Sequence, residues 1–301
     1  MEIELRNINK IYKKGNPVLT DINISLKRGV TGLVGPNGAG KTTLMRIMST
    51  IIRETSGSIT FDGKKLIKDT LEEFRNKIGY MPQDFGFIPN FTVFDMINYY
   101  YSLNGSKKDT EKKIMKYLEM TNLQKYSKRK MKNLSGGMKR RVGLIQAMIN
   151  EPDLLIIDEP TAGLDTEERR NIRQLLMEYG KEHSVLLSTH LIEDIENTCS
   201  NIIIIEEGEI KYDGSIQNLI QFSENHIYTT SYIECIEIPG IDESKIINRT
   251  IIGEQTVIKF FSNDELDFPS PPPSLEDAYL YIKGCNYDFA KHIETKHKSN
   301  T

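Results

Sequence analysis

The sequence predicts an α/β fold in which a mainly parallel sheet is covered by helices. Three observations carry this reading. Gly35, Pro36, Asn37, Gly38, Ala39, Gly40, Lys41 and Thr42 have the G-x-x-x-x-G-K-[ST] spacing of a phosphate-binding loop, set between an apolar strand at residues 30–34 and a helix start at 43–48. Residues 154–157 are an unbroken Leu-Leu-Ile-Ile run closed by Asp158, the pattern of a strand buried on both faces. From there to residue 205, strand-like and helix-like stretches alternate, which implies parallel strands joined by crossovers.

Taken in order, residues 2–8 alternate polar and apolar, as a half-buried strand does, and residues 19–26 repeat the pattern after a basic turn at 10–15. The helix behind the phosphate loop is expected to end near Ile52. Residues 57–63 read as a strand closed by an Asp-Gly turn, and 78–83 as a short strand ending in Pro82 and Gln83. Between about 85 and 150 the strand signal disappears. Helical periodicity takes over at 93–103, 110–120 and 136–149, which predicts a helical insertion. Further elements are a helix over 166–179, a strand over 185–188, a helix over 191–198, and strands over 202–205 and 209–212 joined at Glu207-Gly208. Beyond Gly214 the pattern weakens. Strand-type alternation is read around 232–238 and 256–261, a stiff extended linker at 268–273, and a short helix over 275–281 capped by Ser274. The tail after Gly284 is expected to fray. No internal repeat is found.

Composition narrows the function. A formal net charge of −3 at 27% charged residues gives no basic footprint for nucleic acid. Apolar runs of four residues fall far short of the about 20 that a membrane helix needs. The N-terminal residues alternate charge and isoleucine and do not read as a signal peptide. Cys199, Cys235 and Cys285 are far apart and form no metal-ligand pattern, so reduced thiols are expected.

The loop residues suit a phosphate chain. Glycines let successive backbone N–H groups converge on one concave spot, and the helix N-terminus adds about half a positive charge there. Lys41 can reach the β- and γ-phosphates, and the Thr42 hydroxyl can bind Mg²⁺. Asp158 and Glu159 end the apolar strand, with opposite facing if the strand runs through both. One acid there can hold Mg²⁺ and the next can accept the proton of an attacking water; in isolation two solvated acids would read the same. Ser135 is a good N-cap, and Gly136 and Gly137 expose backbone N–H groups, so this helix start is a second anion-binding candidate. Alone it would be structural. Two phosphate-type sites in one chain suggest that they close on one nucleotide across a dimer. Tyr12, ahead of the phosphate loop, either stacks on a purine base or covers the core at a strand end.

Together these motifs resemble the nucleotide-binding subunit of an ATP-binding cassette (ABC) transporter, and the resemblance covers residues 1–214. It implies a three-layer P-loop NTPase core with an antiparallel N-terminal sheet and a helical insertion, while residues 215–301 form a small C-terminal α+β appendage with no matched motif. Residues 35–42 match the family's phosphate loop, with Thr43 among the nucleotide contacts. Gln83 matches the glutamine loop, which implies nucleotide and Mg²⁺ contact. Residues 134–138 match the signature, Asp158 the magnesium carboxylate, Glu159 the catalytic carboxylate, and His190 the switch histidine that contacts the γ-phosphate. Asp165 falls in the loop lining the dimer seam, and Tyr12 fits the adenine-stacking aromatic. Met138 departs from the commonest signature, which has glutamine there. With Lys139-Arg140-Arg141 after it and the Ser-Leu-Glu-Asp ending at 274–277, it resembles a subfamily that exports drugs, lipids, peptides or haem.

The implied activity is ATP hydrolysis with Mg²⁺. The implied partners are membrane-spanning permease subunits and a second copy of this chain or a related ATPase subunit, with no nucleic acid. The implied location is the cytoplasmic face of the cell membrane. Phe85, Phe87, Ile88 and Phe91 are expected to be exposed and to receive a helix of the membrane partner. The alternatives are an importer subunit and a soluble switch acting on ribosomes or DNA.

Overall fold

A computed structural model describes residues 1–12, 15–103 and 109–284, with Ile236 and Glu237 described by their backbone alone. The expected fraying beyond Gly284, together with Cys285, lies outside these residues, as do Lys13 and Lys14 of the basic turn. The described chain forms two compact units. One is Met1–Ser200 with Glu207–Glu209, and the other is Asn201–Glu206 with the chain from Ile210 on.

The first unit holds β1 (Ile3–Ile11), β2 (Pro17–Leu26), β3 (Gly29–Val34), α1 (Lys41–Met48), β4 (Ser56–Phe61), β5 (Lys64–Lys65), α2 (Leu71–Asn76), β6 (Ile78–Met81), α3 (Val93–Leu103), α4 (Thr110–Met120), α5 (Gly136–Met148), β7 (Leu154–Asp158), α6 (Thr166–Gly180), β8 (Ser184–Ser188) and α7 (Ile192–Glu196). β2, β1, β4 and β5 make the antiparallel N-terminal sheet. Asp62 and Gly63, both at positive φ, make the tight turn between β4 and β5. α1 stops at Met48, short of Ile52, because Ser49 caps it and Thr50 takes a left-handed φ of 58°.

Beside this lies a parallel sheet in the order β3-β8-β7-β6. Its strands are rich in Leu, Ile and Val because both faces are covered; every residue of β7 and β8 is buried. Burying an aliphatic side chain of this kind stabilises by about 1.5–3 kcal/mol. The registers Leu33↔Ser188, Asp158↔Ser188 and Met81↔Ile157 align the carboxyl ends of all four strands. The loops after β3, β6, β7 and β8 therefore leave from one edge, where ligands of open α/β sheets bind.

The segment between β6 and β7 is helical, as expected, and its Val93, Ile97, Ile114, Leu118, Val142 and Ile145 join one core with Met81, Leu155 and Ile157 of the sheet. Phe85, Phe87 and Phe91 are not exposed. They are half-buried against this core, and the Phe85 ring sits where a side chain on Gly143 would be; of the expected apolar quartet only Ile88 is exposed. Three adjacent aromatic rings offer too much apolar area to leave in water when a helix face lies beside them.

In the second unit, β9 (Asn201–Glu206) and β10 (Glu209–Ser215) precede α8 (Ile216–Ser223), β11 (Ile227–Ser231), α9 (Tyr232–Glu237), β12 (Ile246–Ile252), β13 (Gln255–Phe261) and α10 (Leu275–Gly284). β11, β13 and β12 form a three-stranded antiparallel sheet. The alternation read as a strand at 232–238 is helix α9. Ser231 accepts from the Glu234 N–H while the Glu234 carboxylate accepts from the Ser231 N–H, a reciprocal cap that fixes a helix start. The proline stretch at 268–273 is extended and pinned rather than a free linker: the Thr229 N–H donates to the Pro269 carbonyl at 2.9 Å. Ser274 and Asp277 cap α10 reciprocally. Among the described residues, no helix is long and apolar enough to cross a membrane.

The fit of β6 against α5 leaves no room at Gly79, where a Cβ would overlap the Ala147 carbonyl and the Pro152 ring. We expect Gly79→Ala to destabilise the chain by about 1–3 kcal/mol in urea unfolding. An unchanged midpoint would refute this packing.

Candidate functional site

The phosphate-loop residues occupy the turn from β3 into α1. Gly38 and Gly40 have φ of 84° and 107°, a region that glycine enters without a Cβ penalty. No side chain caps α1, so its first N–H groups are left for an anion. The Lys41 Nζ donates to the carbonyls of Gly35 at 2.6 Å and Pro36 at 3.0 Å, folded back on its own loop. Burial pulls the Lys41 ammonium below the ordinary lysine value, and the charges of Glu159 and Asp158 oppose that pull. A phosphate would add to the second effect and favour the charged form.

Asp158 is the best-held acid of the site. It is 2% exposed, accepts the Thr42 hydroxyl on Oδ2 at 3.1 Å, and accepts the Ser188 hydroxyl on Oδ1. Glu159 does not continue the strand. Its φ is 53°, a left-handed conformation that typically costs a non-glycine residue about 1–3 kcal/mol, and its N–H donates to the Ser188 carbonyl at 3.0 Å. The facing of the two acids is therefore set by a turn and not by strand alternation. Both Glu159 carboxylate oxygens lie 2.9 Å from Nδ1 of His190, whose ring is otherwise largely exposed.

These groups line one cleft of about 530 Å³, together with Asn37, Gly38, Gly40, Thr43, Gln83, Ala162 and Val18. Among the described residues, no three or more His, Cys, Asp or Glu side chains gather as a metal site. The Thr42 hydroxyl and the Asp158 carboxylate nevertheless supply two hard oxygen ligands 3.1 Å apart. That donor set suits magnesium, which takes one or two protein oxygens and fills its other positions with phosphate oxygens and water.

The remaining expected site residues lie outside the cleft lining. Tyr12 is 46% exposed, so it does not cover the core, and Lys10 Nζ lies 5.2 Å from its ring centre. Ser135 caps α5 by accepting from the Met138 N–H at 3.2 Å, and the faces of Gly136 are open. A Cβ on Gly137 would strike Glu168 and Leu164. Arg141 pairs with that same Glu168 at 2.5 Å. Asp165 caps α6 by accepting from the Glu168 N–H at 2.8 Å.

Sequence reasoning missed two contributors. Ser188 grips Asp158 from the neighbouring strand. Arg140 donates to the carbonyls of Ala162 at 2.5 Å and Gln83 at 3.2 Å, tying α5 to two cleft loops. A hydroxyl ending an apolar strand could have signalled Ser188. Nothing local marks Arg140 out from Lys139.

The ABC transporter family profile matches residues 19–162. The Nod factor export ATP-binding protein I of Cupriavidus pinatubonensis is 35% identical, over 94% of this chain and 90% of its own. The methionine import ATP-binding protein MetN of Helicobacter pylori is 34% identical, over 73% of this chain and 69% of its own. A solved dimeric ATP-binding cassette, captured after hydrolysis with ADP and Pi, superposes with a TM-score of 0.65 at 28% identity, covering 71% of this chain and 98% of its own. The chain belongs to the ATP-binding subunits of the ABC transporter family and is an ATPase.

Proposed function

We propose that this ATPase drives export. ATP binds the phosphate loop of one chain, the Ser135–Gly137 helix start of a second chain closes over it, and closure and opening move membrane permease subunits. The second chain is another copy or a related ATPase subunit, and the pair is held by its permeases on the inner face of the cell membrane. Residues 1–214 are the working cassette and 215–301 an accessory part. The export reading rests on Met138 with the basic run after it, on the Ser-Leu-Glu-Asp start of α10, and on the likeness to the Nod factor exporter over 94% of the chain. Likeness to MetN favours import as the second reading. The transported substrate would bind the permeases.

One observation carries the chemistry: Lys41, the adjacent pair Asp158 and Glu159, and His190 come from three different segments and line one cleft. Lys41 leaves its loop carbonyls for the β- and γ-phosphate oxygens and stabilises the charge that builds during transfer. Glu159 accepts the proton of the water that attacks the γ-phosphate, a service worth about 10²–10⁴ in rate. His190 holds that carboxylate through Nδ1 and turns its other ring nitrogen to the γ-phosphate. Thr42, Asp158 and Gln83 would hold Mg²⁺, which neutralises phosphate charge when bound.

Lys41→Ala should lower ATPase activity by about a hundredfold or more while the melting transition stays put, because it removes a desolvated charge and no core contact. Near wild-type turnover would refute the site. Glu159→Gln keeps the shape of the carboxylate but cannot take the proton. It should slow hydrolysis by about 10²–10⁴ and accumulate as an ATP-bound dimer on size exclusion. Adding Ser135→Arg should abolish that dimer and leave nucleotide binding intact; a double variant that still dimerises would sink the composite site.

A further inference from the structure

We propose that Asp194 is a positioning residue for hydrolysis, acting as a buried clasp between the loop that carries Glu159 and the segment that carries His190. The clasp rests on the roles given above to those two residues. Thr161 lies two residues after Glu159, and its hydroxyl donates to Oδ2 of Asp194. Asp194 lies four residues after His190, in the first turn of α7. Its other oxygen, Oδ1, accepts from Nε of Arg173 at 2.7 Å, with Nη2 at 2.6 Å, and Arg173 belongs to α6. The loop after β7, helix α7 and helix α6 thus meet at one carboxylate.

Burial makes this more than an incidental contact. Asp194 is 1% exposed and Thr161 2%, while the Arg173 side chain is 14% exposed and also reaches Glu193 at 3.2 Å. A carboxylate withdrawn from water in this way is held only where both oxygens are matched, and here one takes a hydroxyl and the other a guanidinium. Neither partner touches the cleft, so the clasp does no chemistry. What it sets is the relative position of Glu159 and His190, whose 2.9 Å contact depends on two segments with no backbone hydrogen bond at that point other than Glu159 N–H to the Ser188 carbonyl among those described. Glu159 sits in a left-handed conformation, which persists only where its surroundings impose it. The Thr161–Asp194 bond is a constraint two residues downstream that does so.

The test leaves the Asp194–Arg173 pair intact and removes the hydroxyl alone. In the full-length chain, Thr161→Val should lower kcat at saturating MgATP by about tenfold, since misplacement of a catalytic group by about 1 Å can cost up to about 10²-fold. KM and the affinity for a fluorescent ATP analogue should change by less than about twofold, because no phosphate contact is lost. Thr161→Ser, which restores the hydroxyl, should recover most of kcat. Asp194→Asn added to Thr161→Val should cost less than the two separate losses combined, as for groups acting through one bond. Wild-type kcat in a folded Thr161→Val chain would overturn the clasp. So would a parallel fall of kcat, nucleotide affinity and melting temperature in both Thr161 variants, which would mean fold support only. Glu159→Gln run alongside separates the two readings. If it is inactive while Thr161→Val is normal, only the clasp fails; if it hydrolyses normally, the role of Glu159 fails and the clasp with it.

Discussion

The site depends on the parallel register of four strands. Strands buried on both faces leave no place for an unpaired charge within the sheet, so charged chemistry is confined to where they end. Antiparallel pairing would send alternate ends to opposite edges. Parallel pairing, with Asp158 and Leu33 both opposite Ser188, sends them to one. The phosphate loop, the two acids and the histidine are neighbours for that reason, although 155 positions separate Gly35 from His190.

Within that edge the acids and the lysine are held in different ways. The Asp158 carboxylate accepts two hydroxyls, one from α1 and one from the end of β8. Lys41 rests on carbonyls of its own loop, which are weaker partners than phosphate oxygens. The cleft thus keeps its acids fixed and its lysine exchangeable, which lets a phosphate chain enter without first dismantling a strong ion pair.

Much of this was legible in the sequence where spacing alone dictates geometry. The glycines of residues 35–42 let the loop turn back on itself, and the apolar run before Asp158 reads as an interior strand. The helices at 93–103 and 110–120 carry strong periodicity and match the structure at both ends. What was not legible depends on partners distant in sequence. Phe85, Phe87 and Phe91 look exposed until α5 is placed beside them, with Gly143 making room. Ser188 and Arg140 matter through bonds that no local pattern encodes. The error at 232–238 is of another kind. Tyr-Ile-Glu-Cys-Ile-Glu places its glutamates three residues apart, a spacing closer to a helix than to strand alternation, and the Ser231-x-x-Glu234 cap just ahead fixes the helix start with two reciprocal bonds.

The contact of Gly137 with Glu168 also has a mechanical side. The start of α5 has no side chain at 137, and Glu168 fills the vacated space while gripping Arg141 one turn further along. Glu168 in turn shares a cap with Asp165. The start of the insertion helix and the turn before α6 are thus keyed together through one side chain, Glu168. A shift at the start of α5 would have to be answered at Glu168, and through its N–H at Asp165. A side chain at position 137 would therefore displace Glu168 and disturb both its grip on Arg141 and its bond to Asp165.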